Sequence, residues 1–412
     1  MTTISAPVHD GVGGRLHRTA RQAVKDPLAR RALLLYLASR LVLLAISGLD
    51  LLIHHASLRS QMAHWDGKWY LLTSEHWYYH HIFDLPDQWT TLGFMPLYPS
   101  VMWVVAQVTR IGYFGAGITV SLVCGALATV LVGRLARAWW GDQAARRVLA
   151  FWCFFPGTIV FSMVYSEGLT LVLVLGAMIA LSRKSWVRAG VLAGFSTAVA
   201  PVALSSVVVC AAAAVKEFYA RGIRLTRSAP LQVLRDRDAR RALLAPLISP
   251  FGTVGFAIFL WFWTGSPLAD YRAQHGAWQE STTPLAIPDD AGHVLHEIFV
   301  SGVGKHGPGG IDLNKVVAVL GALVLLWGLW LLWKARREVP LPALVWTVCI
   351  AALTLTSSNT PPNPRMLMVA FPVVMVLAAK HSGSAYRRLM VVNVLAFLVM
   401  SPLTYVGYWL RP

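Results

Sequence analysis

The sequence predicts an all-α polytopic membrane protein, a bundle of about 11 transmembrane helices with a structured first extracytoplasmic loop. Two features of the composition lead to this fold class. Hydrophobic residues make up 56% of the chain and charged residues only 13%, whereas a soluble protein carries roughly 25% charged residues. Several apolar runs also reach the length of about 20 residues that a helix needs to cross a bilayer.

The basic residues occur in short clusters between the apolar runs, and they give the chain a net charge of +17. This pattern is typical of the positive-inside rule, by which cytoplasmic loops carry an excess of Lys and Arg. It argues against a nucleic-acid partner. Residues 1–31 carry six Lys/Arg and are predicted to form a cytoplasmic tail. The first span, about residues 32–53, is expected to anchor the chain uncleaved, and Arg40 within it to snorkel to the cytoplasmic headgroups.

The remaining segments follow from the same alternation. Up to residue 242 they are an outside loop (54–114), a span (115–133), an inside segment (134–149), a hairpin that turns near Tyr165-Ser166-Glu167 (150–182) and a shorter hairpin that turns near Ala200-Pro201 (189–215). After it they are a span (243–264), an outside loop (265–314), two spans (315–333 and 340–356), a Pro-rich outside turn (357–364), a span (365–380) and a final span to Trp409. The apolar stretch 95–110 is interpreted as an interfacial or re-entrant helix. The predicted domains are the tail 1–31, a module 32–242 and a C-terminal module 243–412.

Three ionisable residues fall on the outer side of this topology: Asp66 in the first loop, Glu167 at a hairpin turn and Arg365 at a span start. An ionisable side chain at membrane depth costs roughly 2.5–3.5 kcal/mol by insertion scales, so it usually has a pairing or functional reason. Asp66 lies in an aromatic stretch typical of the membrane–water interface, where it could abstract a proton from a substrate hydroxyl. The alternatives are a solvated Asp66 in an aromatic belt, a hydrated turn at Glu167 and a merely interfacial Arg365.

An acid, a second carboxylate and an arginine at an outer interface suggest glycosyl transfer from a lipid-phosphate sugar. The acid would deprotonate the acceptor hydroxyl, and a cation, either a metal or Arg/Lys, would stabilise the departing phosphate. The sequence has no Gly-rich phosphate loop that would indicate a nucleotide site. No cofactor is certain, and a divalent metal stays open. His293, His296 and Glu297 have a spacing that suits a metal, but a solvated loop is the favoured interpretation.

Five short motifs resemble a known family in their order and spacing. They are Trp65-Asp66-Gly67 with Trp69-Tyr70, Phe94-Met95-Pro96-Leu97-Tyr98-Pro99, Gly141-Asp142 with Ala145-Arg146, Phe155-Pro156, and Tyr165-Ser166-Glu167-Gly168-Leu169. Over residues 64 to about 200 the chain resembles the GT-C superfamily of polytopic glycosyltransferases, and within it the GPI mannosyltransferase 2 family with its bacterial, actinobacterial-type relatives. The resemblance implies a GT-C-like bundle and an inverting mannosyltransferase that uses polyprenyl-phosphate mannose. It also implies that Asp66 is the catalytic base and Glu167 an active-site carboxylate.

Two departures from the family affect the expected site. Ala200 stands before Pro201, where relatives often have a basic residue, so Arg365 or Lys68 would have to bind the donor phosphate instead. Gly168 follows Glu167 where the family has Ser, which keeps the acid. The residues predicted to bind substrate are His64, Trp65, Lys68, Trp69, Tyr70, Tyr98, Tyr165 and Arg365.

The predicted partners are a polyprenyl-phosphate sugar donor, a glycolipid, polysaccharide or protein acceptor, and membrane lipid. The site is expected on the extracytoplasmic face of the plasma membrane. The alternative function is a transporter or flippase of lipid-linked sugars, which predicts ionisable groups buried in mid-span and an internal repeat. The acids lie at loops and the sequence contains no visible repeat, which favours the transferase.

Overall fold

The computed structural model describes residues 26–55, 57–82, 85, 88–224, 229–301 and 312–412. Their backbone is helical apart from turns and one isolated antiparallel bridge, between Thr282 and Ser357. The predicted all-α class is therefore confirmed for the described part of the chain. The predicted cytoplasmic tail lies almost entirely outside the described residues.

The helices are numbered in chain order. They are α1 (Pro27–His54), α2 (Leu58–Met62), α3 (Asp66–His76), α4 (Leu97–Thr109), α5 (Gly112–Cys153), α6 (Glu167–Ser182), α7 (Trp186–Thr197), α8 (Ser205–Ala220), α9 (Ala229–Arg235), α10 (Arg237–Ile248), α11 (Phe251–Thr264), α12 (Ala269–Arg272), α13 (Ala286–His296), α14 (Leu313–Lys334), α15 (Leu341–Thr356), α16 (Pro364–Val369), α17 (Phe371–Ala379) and α18 (Gly383–Tyr405). Between them lie 3₁₀ turns at Thr91–Gly93, Pro156–Ser162 and Pro201–Leu204, and π-helical turns at Ala273–Ala277 and Glu297–Ser301.

Within the described residues, six helical stretches are long and apolar enough to cross a membrane. They are Pro27–His54, Gly112–Cys153, Pro201–Ala220, Arg237–Thr264, Leu313–Lys334 and Gly383–Tyr405. The 3₁₀ turn Pro156–Ser162 and α6 form a further apolar pair, bent by 108°, which would make a seventh. The chain is thus a multi-pass membrane protein, and the predicted number of about 11 spans is not confirmed.

Residues 134–149, predicted as an inside loop, are helical. α5 is 42 residues long and runs through this segment, with one break in helical geometry at Gly141 (φ 80°, ψ 177°). The segment is rich in Ala, Leu and Arg, which are good helix formers, so its charge does not end the helix. The left-handed φ of Gly141 costs a glycine little and redirects the chain there. The loop prediction is therefore wrong, and a kinked helix takes its place.

The start of α1 is fixed to α5 by Asp26. Its carboxylate accepts the backbone N–H of Leu28 at 3.1 Å and so caps the helix. The same carboxylate accepts two hydrogen bonds from the Arg137 guanidinium, at 3.0 and 3.1 Å. These bonds from Arg137 lower the pKa of Asp26, so the pair stays ionised and joins the two helices at this end.

Arg40 does not snorkel to the headgroups as predicted. Its side chain is buried, with Nη1 donating to the backbone oxygen of Thr158 at 2.6 Å and to Oγ of Ser162 at 3.2 Å. Its guanidinium carbon also lies 5.0 Å from the centre of the Tyr36 ring. A 3₁₀ turn offers carbonyl oxygens that regular helix bonds leave unused, and Arg40 satisfies one of them. It therefore joins α1 to the turn Pro156–Ser162 inside the bundle.

The segment 95–110 forms α4, which has only 13 residues. A complete span needs about 20 residues, so its length agrees with the interpretation of an interfacial or re-entrant helix. The backbone N–H of Leu97 donates to the oxygen of Ala198 at 2.8 Å, which ties α4 to the break after α7. That break and the 3₁₀ turn from Pro201 coincide with the predicted turn at Ala200-Pro201.

The described part of residues 265–314, the predicted outside loop, docks on the Pro-rich turn 357–364. Oγ of Ser357 donates to the carboxylate of Glu280 at 2.6 Å, and the Asn359 amide donates to the backbone oxygen of Trp278 at 2.6 Å. The Asn363 side chain accepts the N–H of Met366 at 2.9 Å and caps α16. Hydrogen bonds with residues 265–314 thus fix this turn. The turn places Arg365 in the first turn of α16. The division into modules at residues 242 and 243 stays a prediction.

Candidate active site

Asp66 is the first residue of α3, and its turn is fixed by contacts with a distant part of the chain. The preceding residue, Trp65, has φ 54° and ψ −125°, a left-handed φ that is uncommon for a non-glycine residue. The N–H of Val164 donates to the oxygen of Met62 at 2.9 Å, and the N–H of Asp66 donates to the Tyr165 hydroxyl at 3.2 Å. The turn that carries Asp66 therefore packs directly on the turn that precedes α6.

Glu167 is the first residue of α6, so both acids lie at helix N-termini, where the helix dipole favours a negative charge. The hydroxyls of Tyr70 and Ser166 are 2.8 Å apart, which links α3 to the turn before α6. Oγ of Ser121 donates to the backbone oxygen of Tyr165 at 2.9 Å and links the same turn to α5. These buried bonds fix the backbone position from which the Glu167 side chain extends.

Arg365 joins the two acids. Its Nη1 lies 2.5 Å from Oδ2 of Asp66 and 3.4 Å from Oε1 of Glu167. Its guanidinium carbon is 5.6 Å from the centre of the Tyr165 ring. The side chains of Arg365 and Glu167 are each 12% exposed and that of Asp66 is 33% exposed. The three residues that the sequence singled out therefore form one mostly buried cluster, here called the acid–arginine cluster.

The acid–arginine cluster is neither neutral nor saturated with hydrogen bonds. Two carboxylates and one guanidinium leave a formal charge of −1. Oε2 of Glu167 and Nε of Arg365 are buried and have no hydrogen-bond partner among the described residues. Buried polar atoms are nearly always paired in native proteins. The cluster can therefore accept a donor, such as a sugar hydroxyl, on one side and offer an N–H on the other.

A close backbone contact fixes the position of Arg365. Gly157, in the 3₁₀ turn, packs so tightly on α16 that an added Cβ would lie 2.1 Å from the backbone oxygen of Pro364. A separation that short is impossible without moving the backbone. Glycine is therefore required at this position if α16, and with it Arg365, is to start where it does.

Three of the tyrosines predicted to bind substrate are packed inside the protein. Tyr98 is fully buried, and its hydroxyl lies 2.8 Å from Oγ of Ser121. Tyr165 is 1% and Tyr70 7% exposed, with the hydroxyl bonds given above. Burial also raises the pKa of Tyr70. Substrate contact by these tyrosines stays a prediction; in this structure Tyr98 is fully buried, and the hydroxyls of Tyr70 and Tyr165 contact Ser166 and the backbone N–H of Asp66.

His64 and Trp65 contact the end of the chain. The ring of His64 stacks on Tyr408 with ring centres 4.0 Å apart, and the guanidinium carbon of Arg411 lies 5.4 Å from the centre of the Trp65 ring. Burial, and to a smaller degree the charge of Lys68, lowers the pKa of His64. His64 is therefore neutral at neutral pH, which keeps one further positive charge away from Asp66.

An aromatic wall lies on α3 and the loops around it. The Trp278 ring centre is 5.2 Å from that of Trp69, 4.7 Å from that of Trp89 and 5.5 Å from that of Phe94. Trp69 is buried and Trp89 is 48% exposed. Lys68 is exposed, and its Nζ lies 5.1 Å from the centre of the Trp69 ring. Trp69 and Lys68 thus belong to this wall rather than to the acid–arginine cluster.

The site offers few ligands for a metal. Among the described residues no group of three or more His, Cys, Asp and Glu side chains is arranged to hold an ion. Asp66 and Glu167 are the carboxylates nearest to such a role, and Nη1 of Arg365 lies between them. His293 and His296 are exposed on α13, and Glu297 accepts the N–H of Asp312 at 3.0 Å. The stretch is largely exposed, but it is helical rather than a loop.

Sequence reasoning missed Trp89, Trp278, Tyr408 and Arg411. Arg411 carried a signal, because it is a basic residue after a span that ends on the predicted outer side, where Lys and Arg are rare. The aromatic residues carried none, since many Trp and Tyr of this chain lie near predicted span ends. The contacts of Trp89 and Trp278 with α3 and of Tyr408 with His64 depend on tertiary packing.

The chain matches the family model described as mannosyltransferase (PIG-V) over residues 36–259, more than half of its length. The chain belongs to this family. The resemblance to the GPI mannosyltransferase 2 family is thereby confirmed, and the matched range holds Asp66 and Glu167 but not Arg365.

Among solved structures, the chain is similar to the apo crystal structure of the oligosaccharyltransferase from Archaeoglobus fulgidus, with a TM-score of 0.42 and 14% sequence identity. That similarity covers 91% of this chain and 55% of the other, so the chain spans just over half of that protein's length. Comparison with curated proteins gave no match.

Proposed function

We propose that this mannosyltransferase (PIG-V) family member transfers mannose from a polyprenyl-phosphate donor to an acceptor hydroxyl, in one inverting step on the extracytoplasmic face. The proposal is supported above all by the acid–arginine cluster, which joins Asp66, Glu167 and Arg365. The family supports mannose as the sugar. A glycolipid, a polysaccharide or a protein could supply the hydroxyl.

In the proposed step, Asp66 acts on the acceptor. Its carboxylate is the more exposed of the two acids and accepts the hydroxyl proton as the acceptor oxygen bonds to the anomeric carbon of mannose. The bond from that carbon to the donor phosphate breaks, and its electron pair leaves with polyprenyl phosphate. Asp66 is then protonated and returns the proton to water.

Arg365 and Glu167 act on the donor. The departing phosphate gains negative charge, which a guanidinium stabilises through charge-assisted hydrogen bonds. Arg365 is shared between two carboxylates in this structure, so a phosphate would compete with Asp66 for it. Such competition would free the Asp66 carboxylate to act as a base once donor is bound. Glu167, which faces the same Nη1, would keep its contact with the Arg365 guanidinium.

The proposed orientation is supported by contacts at the opposite set of loops. Lys184 and Arg221 both pair with Glu217, at 2.8 and 2.9 Å, although they lie in different predicted inside segments. Lys380 pairs with Glu338 at 2.6 Å. Basic clusters therefore meet away from Asp66, as the positive-inside rule expects of one cytoplasmic face.

The transporter alternative receives little support. It expects ionisable groups that face a path through the bundle. Arg40 is ionisable and lies inside a span, but its guanidinium is bonded to Thr158 and Ser162. That contact serves packing between α1 and the 3₁₀ turn rather than a substrate path.

The test is transfer of radiolabelled mannose from polyprenyl-phosphate mannose by the purified protein in proteoliposomes with a membrane acceptor fraction. Asp66→Asn keeps the size of the side chain and one acceptor oxygen but removes the base. We expect a loss of about 1,000-fold in turnover, near the middle of the range for general acid–base groups. The matched control is Glu75→Gln, because Glu75 is on the same helix and makes an exposed ion pair with Arg59.

Full turnover in Asp66→Asn would overturn the assignment of the base. If the wild-type protein moves lipid-linked mannose between leaflets and no label reaches any acceptor, the transporter alternative replaces the transferase. Equal losses in Asp66→Asn and Glu75→Gln would show that the effect comes from folding of α3 and not from chemistry.

A further inference from the structure

The last residues described, Val406–Pro412, are held against the candidate active site; we call them the C-terminal segment. His64 stacks on Tyr408 within it. Asn314 donates to the oxygen of Trp409 at 3.0 Å and accepts the backbone N–H of Arg411 at 2.8 Å. Contacts from two separate parts of the chain therefore fix the backbone at Arg411.

A narrow cleft, with a volume of about 10 Å³, lies between the C-terminal segment, the 3₁₀ turn Pro156–Ser162 and the start of α16. Its lining includes both Arg365 and Arg411. The other walls are mostly apolar and come from Ile159, Val160 and Met400, with the hydroxyl of Thr404 among them. The cleft thus combines two cations with an apolar surface, which is the chemistry of a lipid that carries an anionic head.

The arginines in this cleft have capacity for an anion. Nη1 of Arg365 is engaged by the two acids, but its Nε is buried and has no hydrogen-bond partner among the described residues. Arg411 is exposed, and its guanidinium lies over the Trp65 ring, which orients the donor fork without using its N–H groups. Two guanidinium groups with free N–H donors can hydrogen-bond one phosphate from two sides.

Charge counting requires a second cation. The acid–arginine cluster carries a formal charge of −1 before transfer and is neutral once Asp66 has taken the acceptor proton, because Glu167 then offsets Arg365. A departing polyprenyl phosphate adds further negative charge next to it. Arg365 alone cannot balance both Glu167 and this phosphate, and electrostatic stabilisation of a leaving group is among the largest contributions to catalysis. Arg411 lines the same cleft and brings the missing charge.

We propose that the phosphate of the lipid donor binds at the mouth of this narrow cleft, with the first prenyl units on the apolar surface beside it, and with Arg411 and the Nε–H side of Arg365 as phosphate ligands. This inference rests on the proposed function, since it specifies where the donor of that reaction is held. It assigns Arg411 a role in binding and none in proton transfer.

The experiment measures binding without turnover. Purified protein in detergent is titrated with a fluorescent short-chain polyprenyl phosphate, and Arg411→Gln is compared with the wild type. We expect the Kd to rise about tenfold in Arg411→Gln and to stay within about threefold in Arg411→Lys, which keeps the charge. The control is Arg336→Gln, because Arg336 is also stacked on a tryptophan, 4.5 Å from the Trp333 ring centre, but lies away from the cleft.

The competitor identifies the source of the phosphate. We expect unlabelled polyprenyl phosphate to displace the probe, whereas inorganic phosphate at the same concentration leaves it bound, because the apolar walls contribute to affinity. An unchanged Kd in Arg411→Gln, or an equal rise in Arg336→Gln, overturns the assignment of Arg411. Equal displacement by inorganic phosphate overturns the assignment to a lipid.

The same titration on Asp66→Asn separates this inference from the proposed function. If that variant binds the probe like the wild type and transfers no mannose, both proposals gain support. If the wild type binds the probe through Arg411 yet transfers no sugar, the cleft is a lipid-phosphate site and only the catalytic proposal fails.

Discussion

Arg365 places a guanidinium nitrogen 2.5 Å from the carboxylate of Asp66, although the two residues are 299 positions apart in the chain. The same nitrogen lies 3.4 Å from Glu167. A mostly buried pair of like charges is held together by one opposite charge, so each member of the cluster depends on the others. Variants at these three positions should therefore not act independently.

Replacement of Arg365 by alanine should abolish transfer and lower stability. It leaves Asp66 and Glu167 as neighbouring acids without a counter-charge, and breaking a buried ion pair costs roughly 3–5 kcal/mol. We expect a clear fall in melting temperature in detergent, together with loss of labelled mannose transfer. Arg365→Lys keeps the charge but loses the planar fork, so it should recover most of the stability and little of the activity.

The double variant Arg365→Ala/Glu167→Gln tests the cause of that destabilisation. If repulsion between buried acids is responsible, removal of one acid should restore part of the melting temperature lost in Arg365→Ala. Additive losses would instead point to packing of the Arg365 side chain.

Glu167→Gln should reduce turnover by about 10- to 100-fold while the protein stays folded. Gln has the same shape as Glu and can still accept a hydrogen bond from Arg365, but it no longer holds the guanidinium by charge. The measurement is initial-rate kinetics at saturating acceptor. Wild-type kinetics in this variant would mean that Asp66 and Arg365 suffice without Glu167.

Gly157→Ala should disable the protein although no charged residue changes. The added Cβ would meet the backbone oxygen of Pro364 at 2.1 Å, so α16 must shift and Arg365 with it. We expect transfer to fall at least as far as in Arg365→Lys. The matched control is Gly48→Ala, because a Cβ at Gly48 in α1 has no neighbour within 4 Å; a similar loss in both variants would contradict the contact.

His64 should make stability depend on pH in a narrow window. Burial lowers the pKa of His64 below its ordinary value of 6.5, so the unfolded chain binds a proton before the folded one does. The contribution of His64 to the free energy of unfolding is then constant above pH of about 6.5. It falls as the pH is lowered towards the pKa of His64 in the folded protein, and it levels off below that pKa.

The variant His64→Phe checks the pH prediction, because Phe keeps the ring stack on Tyr408 and cannot be protonated. We expect its melting temperature to fall less than that of the wild type between pH of about 7.5 and 5. Parallel curves for the two proteins would show that other groups cause the change.

Trp278→Ala should weaken the packing of residues 265–301 against α3. The Trp278 ring contacts Trp69, Trp89 and Phe94, and its backbone oxygen accepts the amide of Asn359. We expect faster cleavage within residues 265–301 in limited proteolysis, and slower transfer. Trp103→Ala is a suitable control, since Trp103 is 47% exposed on α4; equal cleavage rates in the wild type and Trp278→Ala would refute the anchoring role.

Much of the site could be predicted because its chemistry lies at breaks in apolar runs. Asp66 and Glu167 begin helices after turns, and Arg365 follows a Pro-rich turn, so local patterns placed all three near one surface. The position of Arg40 was predicted wrongly because hydropathy indicates how deep a residue lies in the membrane and not which groups it bonds to. Its buried position depends on carbonyl oxygens of a 3₁₀ turn far away in the sequence. Arg411 was overlooked because only long-range packing brings the chain end to Trp65.

The predicted loop at residues 134–149 is wrong, and the predicted number of about 11 spans is not confirmed, for a related reason. Clusters of basic residues report which side of the membrane a segment faces. They do not report whether the backbone stops being helical there, and α5 continues through one such cluster with a kink at Gly141. The number of spans also depends on whether a bent pair, such as Pro156–Ser162 with α6, is counted as one span.

The family match ends at residue 259, so both acids lie inside it and both arginines of the cleft lie beyond it. In the proposed site the negative charges thus come from the matched portion of the chain and the positive charges from the portion after it, and neither portion holds both. A fragment cut after the matched portion would retain the two carboxylates, which repel each other, without the Arg365 guanidinium that pairs with both. Under the proposed mechanism, the portion after residue 259 is accordingly the part in which exchanging residues would redirect the enzyme towards another lipid carrier, while the portion that holds the proposed base stays unchanged.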